Sequence, residues 1–230
     1  MAKIAIIPAR GGSKRIPGKN TKDFLGKPII AYSIASAIGS ALFDEVMVST
    51  DDDRTAEIAR SLGASVPFFR SAKNSDDHVG TTAVMKEVLE TYALENINFK
   101  YVCCIYPTAP LCRPGHLVEG YEKLVKENFD VVFPVAPFGF PVLRGLRMKP
   151  DGSVSMIWPE HLKTRSQDLE PVYHDAGQWY WFREEVVHSD GMPESSGAFL
   201  LSEHEVQDID NPSDWALAEL KYKLNFGAKA

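Results

Sequence analysis

Residues 3–20 read KIAIIPARGGSKRIPGKN. A mostly apolar run, Lys3 to Pro8, leads directly into a segment holding three glycines, four basic residues and a proline. A short apolar run bounded by a Gly-rich turn reads as a buried parallel strand. Glycines let backbone N–H groups approach a ligand closely. Successive N–H groups in a tight turn form an anion-binding nest, and Lys and Arg add charge-assisted bonds to phosphate oxygens. A solvated basic loop is the plain alternative. The spacing is not that of the GxxxxGK[ST] phosphate loop, because Gly12 and Gly18 stand one residue too far apart and Asn20 follows Lys19. Nor is it the GxGxxG dinucleotide fingerprint.

Working outward, Pro28 opens a helical pattern reaching Ile38, with proline at the first helical position. A second strand is expected from Glu45 to Thr50. Asp51 or Asp52 then caps a helix ending at Leu62 and Gly63. Ser65 to Phe69 reads as a third strand, Thr81 or Thr82 to Leu94 as a helix, and Tyr101 to Tyr106 as a strand. A helix from Pro114 to Asn128 and a strand from Asp130 to Val135 follow. Strands alternating with helices predict a three-layer, mostly parallel α/β sheet in one domain spanning residues 1–230. Ligands of such sheets bind at the carboxyl ends of the strands. Residues 136–175 hold prolines and no clean period, so they read as an inserted arm of hairpins. Gln178 to Phe182 is aromatic strand material, and Asn211 caps a last helix to Phe226.

Hydrophobic residues make up 44% of the 230 and charged residues 24%, as in ordinary globular proteins. A net charge of −6 argues against nucleic acid as the partner, but not against a small anion bound by a local basic cluster. Cys103, Cys104 and Cys112 lack metal-ligand spacing and read as free thiols in a reducing compartment. Without a signal-peptide pattern or an apolar stretch of about 18 residues, no membrane association and a cytoplasmic location are expected.

The run from Arg10 to Asn20 resembles the nucleotide-binding signature of the acylneuraminate cytidylyltransferases. Leu25-Gly26-Lys27-Pro28 and Ser49-Thr50-Asp51-Asp52 fit the same family. Relatives that activate the eight-carbon acid Kdo share a Pro-Gly-Lys loop with a different middle, so Gly11-Gly12-Ser13-Lys14 and Asn20 resemble the nine-carbon branch. The resemblance implies a Rossmann-like nucleotidyltransferase that uses CTP to activate a nine-carbon 2-keto sugar acid and releases pyrophosphate. It implies Arg10, Gly11, Gly12, Ser13, Lys14, Lys19 and Asn20 around CTP. Arg10, Lys14 and Lys19 would serve the triphosphate, Asn20 the ribose or base, and Arg70 and Thr81 the cytosine. The family commonly has Pro after that arginine, where this chain has Ser71.

Chemistry on a nucleoside triphosphate calls for a divalent ion, and Mg²⁺ is usually held by one or two carboxylates plus phosphates and water. Asp208 and Asp210, if extended, point to one face. By themselves they read equally as an acidic capping turn, and Asp51, Asp52, Asp76 and Asp77 compete. Val206 to Asp210 with Asp214-Trp215 resembles the family's closing metal motif, which implies Mg²⁺, or Mn²⁺, on Asp208 and Asp210 as part of the catalytic set. No nucleophile constellation appears, and His78, His116, His161, His174, His188 and His204 do not cluster by spacing; His174 adjoins the aromatic strand.

Sialic-acid enzymes of the family usually read Gln-Pro-Thr-Ser-Pro-Leu-Arg at the fourth strand end. This chain reads Tyr106-Pro107-Thr108-Ala109-Pro110-Leu111-Cys112-Arg113, which implies a changed sugar. Thr164 to Pro171 and His174 to Tyr180 resemble the branch that activates pseudaminic acid; N-acetylneuraminic and legionaminic acid are the alternatives. The acceptor contacts so implied are Tyr106, Arg165, Gln178 and Tyr180, with Phe199 as an apolar wall. The inserted arm is implied to pair two copies in a homodimer, with Arg144, Arg147 or Arg165 reaching across. A nucleotide-sugar-binding regulator without catalysis is the other class of reading.

Overall fold

In the computed structural model, which describes residues 2–13, 15–76, 79–188 and 193–227, the opening run becomes β1 (Lys3–Pro8). Ile4, Ala5, Ile6 and Ile7 are all fully buried, so β1 needs cover on both faces. A two-residue ladder, β2 (Asp23–Phe24) with β3 (Lys27–Pro28), precedes α1 (Ile30–Gly39), β4 (Glu45–Ser49) and α2 (Asp53–Ser61). Then come α3 (Thr81–Leu94), β5 (Tyr101–Ile105), α4 (Pro114–Lys126) and β6 (Val131–Pro137). The hairpin β7 (Leu146–Met148) and β8 (Val154–Met156) is followed by β9 (Tyr173–Asp175) and β10 (Trp179–Arg183). The chain closes with α5 (Glu184–Val187), β11 (Ser196–Leu200) and α6 (Pro212–Phe226).

The main sheet runs β11-β6-β10-β5-β1-β4, with β9 paired to β6. Neighbours pair in parallel except where β10 meets β5 and β6 and where β9 meets β6. Side-chain alternation builds two cores. Ala5, Ile7, Cys103, Ile105, Trp179 and Trp181 pack with residues of α1, α2 and α4, whereas Ile4, Ile6, Cys104, Tyr180 and Phe182 pack with α3 and Val187. These are the expected three layers. A smaller cluster joins Ile16, Phe24 and Ile29 to Ile209, Trp215 and Ala218, and so seats α6 beside the basic loop.

Two expectations are corrected and one strand is added. Ser65 to Phe69 is no strand, because only Ser65 bridges Met47 before Pro67, which has no N–H to donate, interrupts the ladder. Pro28 pairs with Asp23 and α1 starts at Ile30 instead. β11 was not anticipated, since its Ser-Gly-Ala start carries little strand preference; parallel pairing with β6 creates it. In the arm, the β7–β8 hairpin and short 3₁₀ turns leave Phe140, Leu146, Met148 and Leu162 exposed. No helix of the described residues is long and apolar enough to cross a membrane.

Asn211 caps α6 as expected: its Oδ1 accepts from the N–H groups of Ser213 and Asp214, while Asp214 reaches back to the N–H groups of Asp210 and Asn211. Asn211→Ala removes the forward half of this capping box. A loss of about 1–2 kcal/mol in urea unfolding is expected.

Candidate functional site

The parallel register of β1, β4 and β5 brings their carboxyl ends to one edge, where a cavity of about 480 Å³ opens. Its wall includes Pro8 and Arg10 after β1, Arg70 beside β4, Thr81 at the start of α3 and Tyr106 after β5. Ser13, Arg15, Lys19 and Asn20 line it as well.

The loop after β1 is held from several sides. Ala9 N–H donates to Ser49 O at 2.8 Å, and Gly11 N–H to Asp51 Oδ1 at 2.9 Å. Asn20 is nearly buried, and its Nδ2 donates to Arg10 O at 2.9 Å. Asp52 caps α2 by accepting from the Thr55 N–H at 2.8 Å and hydroxyl at 2.7 Å. Asp51 and Asp52 therefore support the loop and the helix. Gly11 lies so close to this cap that an added Cβ would stand 2.9 Å from Asp52 Cβ, whereas nothing lies within 4 Å of one on Gly12.

Lys19 reaches across the site, donating to the carbonyl of Ile209 at 2.7 Å. Burial pushes its ammonium below the ordinary lysine value, opposed by the carboxylates of Asp210 and then Asp208. Ile209 is fully buried, while Asp208 is exposed and Asp210 half-buried on either side of it. The pair stands next to the cavity's lysine. Arg15 pairs with Asp210 Oδ2 at 2.6 Å. Among the described residues no group of three or more His, Cys, Asp or Glu side chains is placed to hold a metal ion. A divalent ion on Asp208 and Asp210 would have to complete its shell from a substrate and water.

Arg70 is buried. Its Nε donates to Ser49 Oγ at 3.0 Å and its other nitrogen to Ser49 O at 2.5 Å. Burial lowers its pKa, against the pull of Asp51 and Glu87. Thr81 opens a helix whose N-cap, Gly80, provides no side-chain cap, so the first N–H groups of α3 are left for a polar partner.

Behind Tyr106 and Thr81 a second cavity, of about 280 Å³, is lined by Cys104, Phe133, Asp175, Tyr180 and Phe182. Tyr180 stacks between Phe133 and Phe182, and its hydroxyl donates to Asp175 Oδ2 at 2.7 Å. Tyr106 and Tyr180 are thus brought together, their ring centroids 5.4 Å apart. The other acceptor candidates are not. Phe199 lies on the opposite face of the sheet, against Trp179 and His116. Gln178 is buried, with its Nε2 on Glu205 O. Arg165 is in the arm, away from both cavities of its own chain. Phe133 takes the wall position expected of Phe199. Phe133 and Asp175 escaped sequence reading because both depend on the pairing of β6 with its neighbours. His174 turns its Nδ1 to Asp175 O and packs on Phe138. Lys14, Asp77 and His78 lie outside the described residues. The three cysteines are free and buried.

The cytidylyltransferase family profile matches residues 4–192. Pseudaminic acid cytidylyltransferase of Campylobacter jejuni is 42% identical over 98% of both chains. CMP-N,N'-diacetyllegionaminic acid synthase of Legionella pneumophila is 33% identical, also over 98% of both. Among solved structures, a CMP:2-keto-3-deoxy-manno-octonic acid synthetase complexed with CTP shares the fold, with a TM-score of 0.69 at 19% identity over 97% of this chain and 98% of that one.

The two loop glycines make a matched test. Gly11→Ala must displace the Asp52 cap, and a loss of about 1–3 kcal/mol is expected in urea unfolding. Gly12→Ala meets open space and should stay within about 0.5 kcal/mol of the parent.

Proposed function

The chain belongs to the cytidylyltransferase family, and from that premise we propose that it joins CTP to a nine-carbon 2-keto sugar acid, pseudaminic acid being the favoured acceptor. The products are the CMP-sugar and pyrophosphate. Foremost in support is the basic loop at the carboxyl end of β1, which opens on a cavity of about 480 Å³ and is tied by Lys19 to the segment bearing Asp208 and Asp210. The favoured sugar is supported by 42% identity along nearly the whole chain to a pseudaminic acid cytidylyltransferase.

In this reaction the anomeric hydroxyl oxygen of the acceptor attacks the α-phosphorus of CTP. The bond from that phosphorus to the bridging oxygen breaks, pyrophosphate leaves, and the hydroxyl proton is released. Positioning and charge stabilisation carry such a transfer. Arg10 and Lys19, with Lys14, neutralise the triphosphate, and Ser13 and the Gly12 amide cradle it, with Gly11 held against Asp51. Asn20 fixes the loop through Arg10 O and faces the ribose. Arg70 and Thr81 take the base side. Asp208 and Asp210, two hard carboxylates flanking a buried residue, would hold Mg²⁺, or Mn²⁺, and the ion would supply positive charge to offset that of the leaving group. Arg15 does not block them. Its side chain is 70% exposed and that of Asp210 41%, and such pairs contribute at most about 1 kcal/mol.

The apolar side chains exposed along residues 136–175 support a homodimer in which the arm meets a second copy, with Arg144, Arg147 or Arg165 as the groups that reach across. A reaction that consumes CTP supports a cytoplasmic location.

Pyrophosphate release with CTP and Mg²⁺ tests the reading, with pseudaminic, legionaminic and N-acetylneuraminic acids and Kdo as acceptors. Release with pseudaminic acid above the others is expected. Release with another nonulosonic acid instead would retain the reaction and discard the favoured sugar, while silence with all four would favour a regulator. Asp208→Asn and Asp210→Asn should each lower kcat about 100-fold or more with the unfolding midpoint unchanged. Full activity of both variants at saturating Mg²⁺ would falsify the metal assignment.

A further inference from the structure

Asp175 lines the second cavity, on the far side of Tyr106 from the basic loop. Both of its carboxylate oxygens are engaged: Oδ1 accepts from the Gly177 N–H at 2.8 Å and Oδ2 from the Tyr180 hydroxyl at 2.7 Å. A phenol has one proton to donate. Tyr180 has committed it to Asp175, so towards the cavity its oxygen offers lone pairs alone. The rings of Tyr106 and Tyr180 stand 5.4 Å apart, and Thr81 lines the same cavity. Where the two tyrosines meet, Tyr106 must therefore donate. The hydroxyl protons are drawn towards Asp175, and this part of the wall accepts hydrogen bonds.

Such a wall selects its ligand. A carboxylate, which also only accepts, is refused by the lone pairs and repelled by the charge of Asp175. A donor is welcomed. Met85, Phe133 and Phe182 give the cavity an apolar side, while Thr81 and Thr82 line it towards α3. A group that offers an N–H beside a methyl matches both features, whereas the acceptor's own carboxylate belongs on the basic side of Tyr106.

We propose that Asp175 is a specificity-determining positioning residue: by holding the Tyr180 proton, it sets the second cavity to read the amide N–H of an acylamido substituent on the acceptor sugar. This rests on the proposed reaction and adds to it which part of the substrate is read, and by what.

The isosteric variant Asp175→Asn reverses the polarity. The Gly177 N–H is fixed and can only donate, so the amide oxygen must stay with it. The new NH₂ group then faces Tyr180, whose hydroxyl must turn its proton away from that side, towards Tyr106 or the cavity. The test is steady-state kinetics of the full chain with CTP, using an N-acylated nonulosonic acid and its O-acyl analogue, which has the same shape without the N–H. The parent enzyme should prefer the amide by about tenfold or more in kcat/KM, since a site built to hydrogen-bond a group rejects analogues lacking it. In Asp175→Asn the preference should fall to near one, through the acceptor KM, with the KM for CTP unchanged. Tyr180→Phe keeps the ring stack and removes only the hydroxyl, and should lose the preference in the same way. An undiminished preference in both variants overturns the role of Asp175 and leaves the reaction standing. A parent enzyme that turns over no N-acylated acceptor overturns both.

Discussion

The bond from the Lys19 ammonium to the carbonyl of Ile209 spans 190 residues, and the arrangement of the site depends on it. The basic loop is rich in glycine and would be free to wander if β1 alone held it. The Lys19 bond, with Ile16 and Ile209 in one apolar cluster, makes the loop and the Asp208–Asp210 segment a single body. Taking the ammonium out of water is costly, as the downward pull on its pKa records. Asp210 and Asp208 offset part of that cost, so the lysine is stabilised by the carboxylates whose mutual repulsion it relieves.

Around this body the two cavities differ in character. Arg10, Arg15, Lys19 and Arg70 gather on one side of Tyr106, and Asp175 with a ring of aromatic side chains on the other. The basic groups and the aromatic surface are thus kept apart by one phenol, whose main chain is pinned at both groups: its N–H donates to Gln178 O and its carbonyl accepts from Ser33. An ionic substrate and a largely neutral one can be held side by side without either desolvating against the wrong wall.

Much of this was legible in the chain, and the reason is locality. The Asp52 and Asn211 caps and most of the alternating elements are set by neighbours a few residues away, and the loop after β1 is legible from its composition, though distant partners hold it. What was lost depends on pairing between distant segments. Phe199 read as a cavity wall, but its face is fixed by the register of β11 on β6, where it pairs with Pro134. Gln178 shares the alternation of Tyr180, yet Gly177, with φ of +61°, turns the chain just before β10 and sends the amide to Glu205. The spacing of Asp208 and Asp210 alone reads equally as a capping turn, and their nearness to Lys19 is a contact remote in sequence.

Strand β10 interleaves two duties. Trp179 and Trp181 are wholly buried against the α4 side, while Tyr180 and Phe182 face the second cavity. Odd and even positions therefore experience different selection. Even positions can drift, and with them the taste of the enzyme, while the odd tryptophans keep the sheet intact. The sugar pocket can thus be reshaped from alternate residues of one strand, each change weighed against the α3-side packing that Tyr180 and Phe182 also supply.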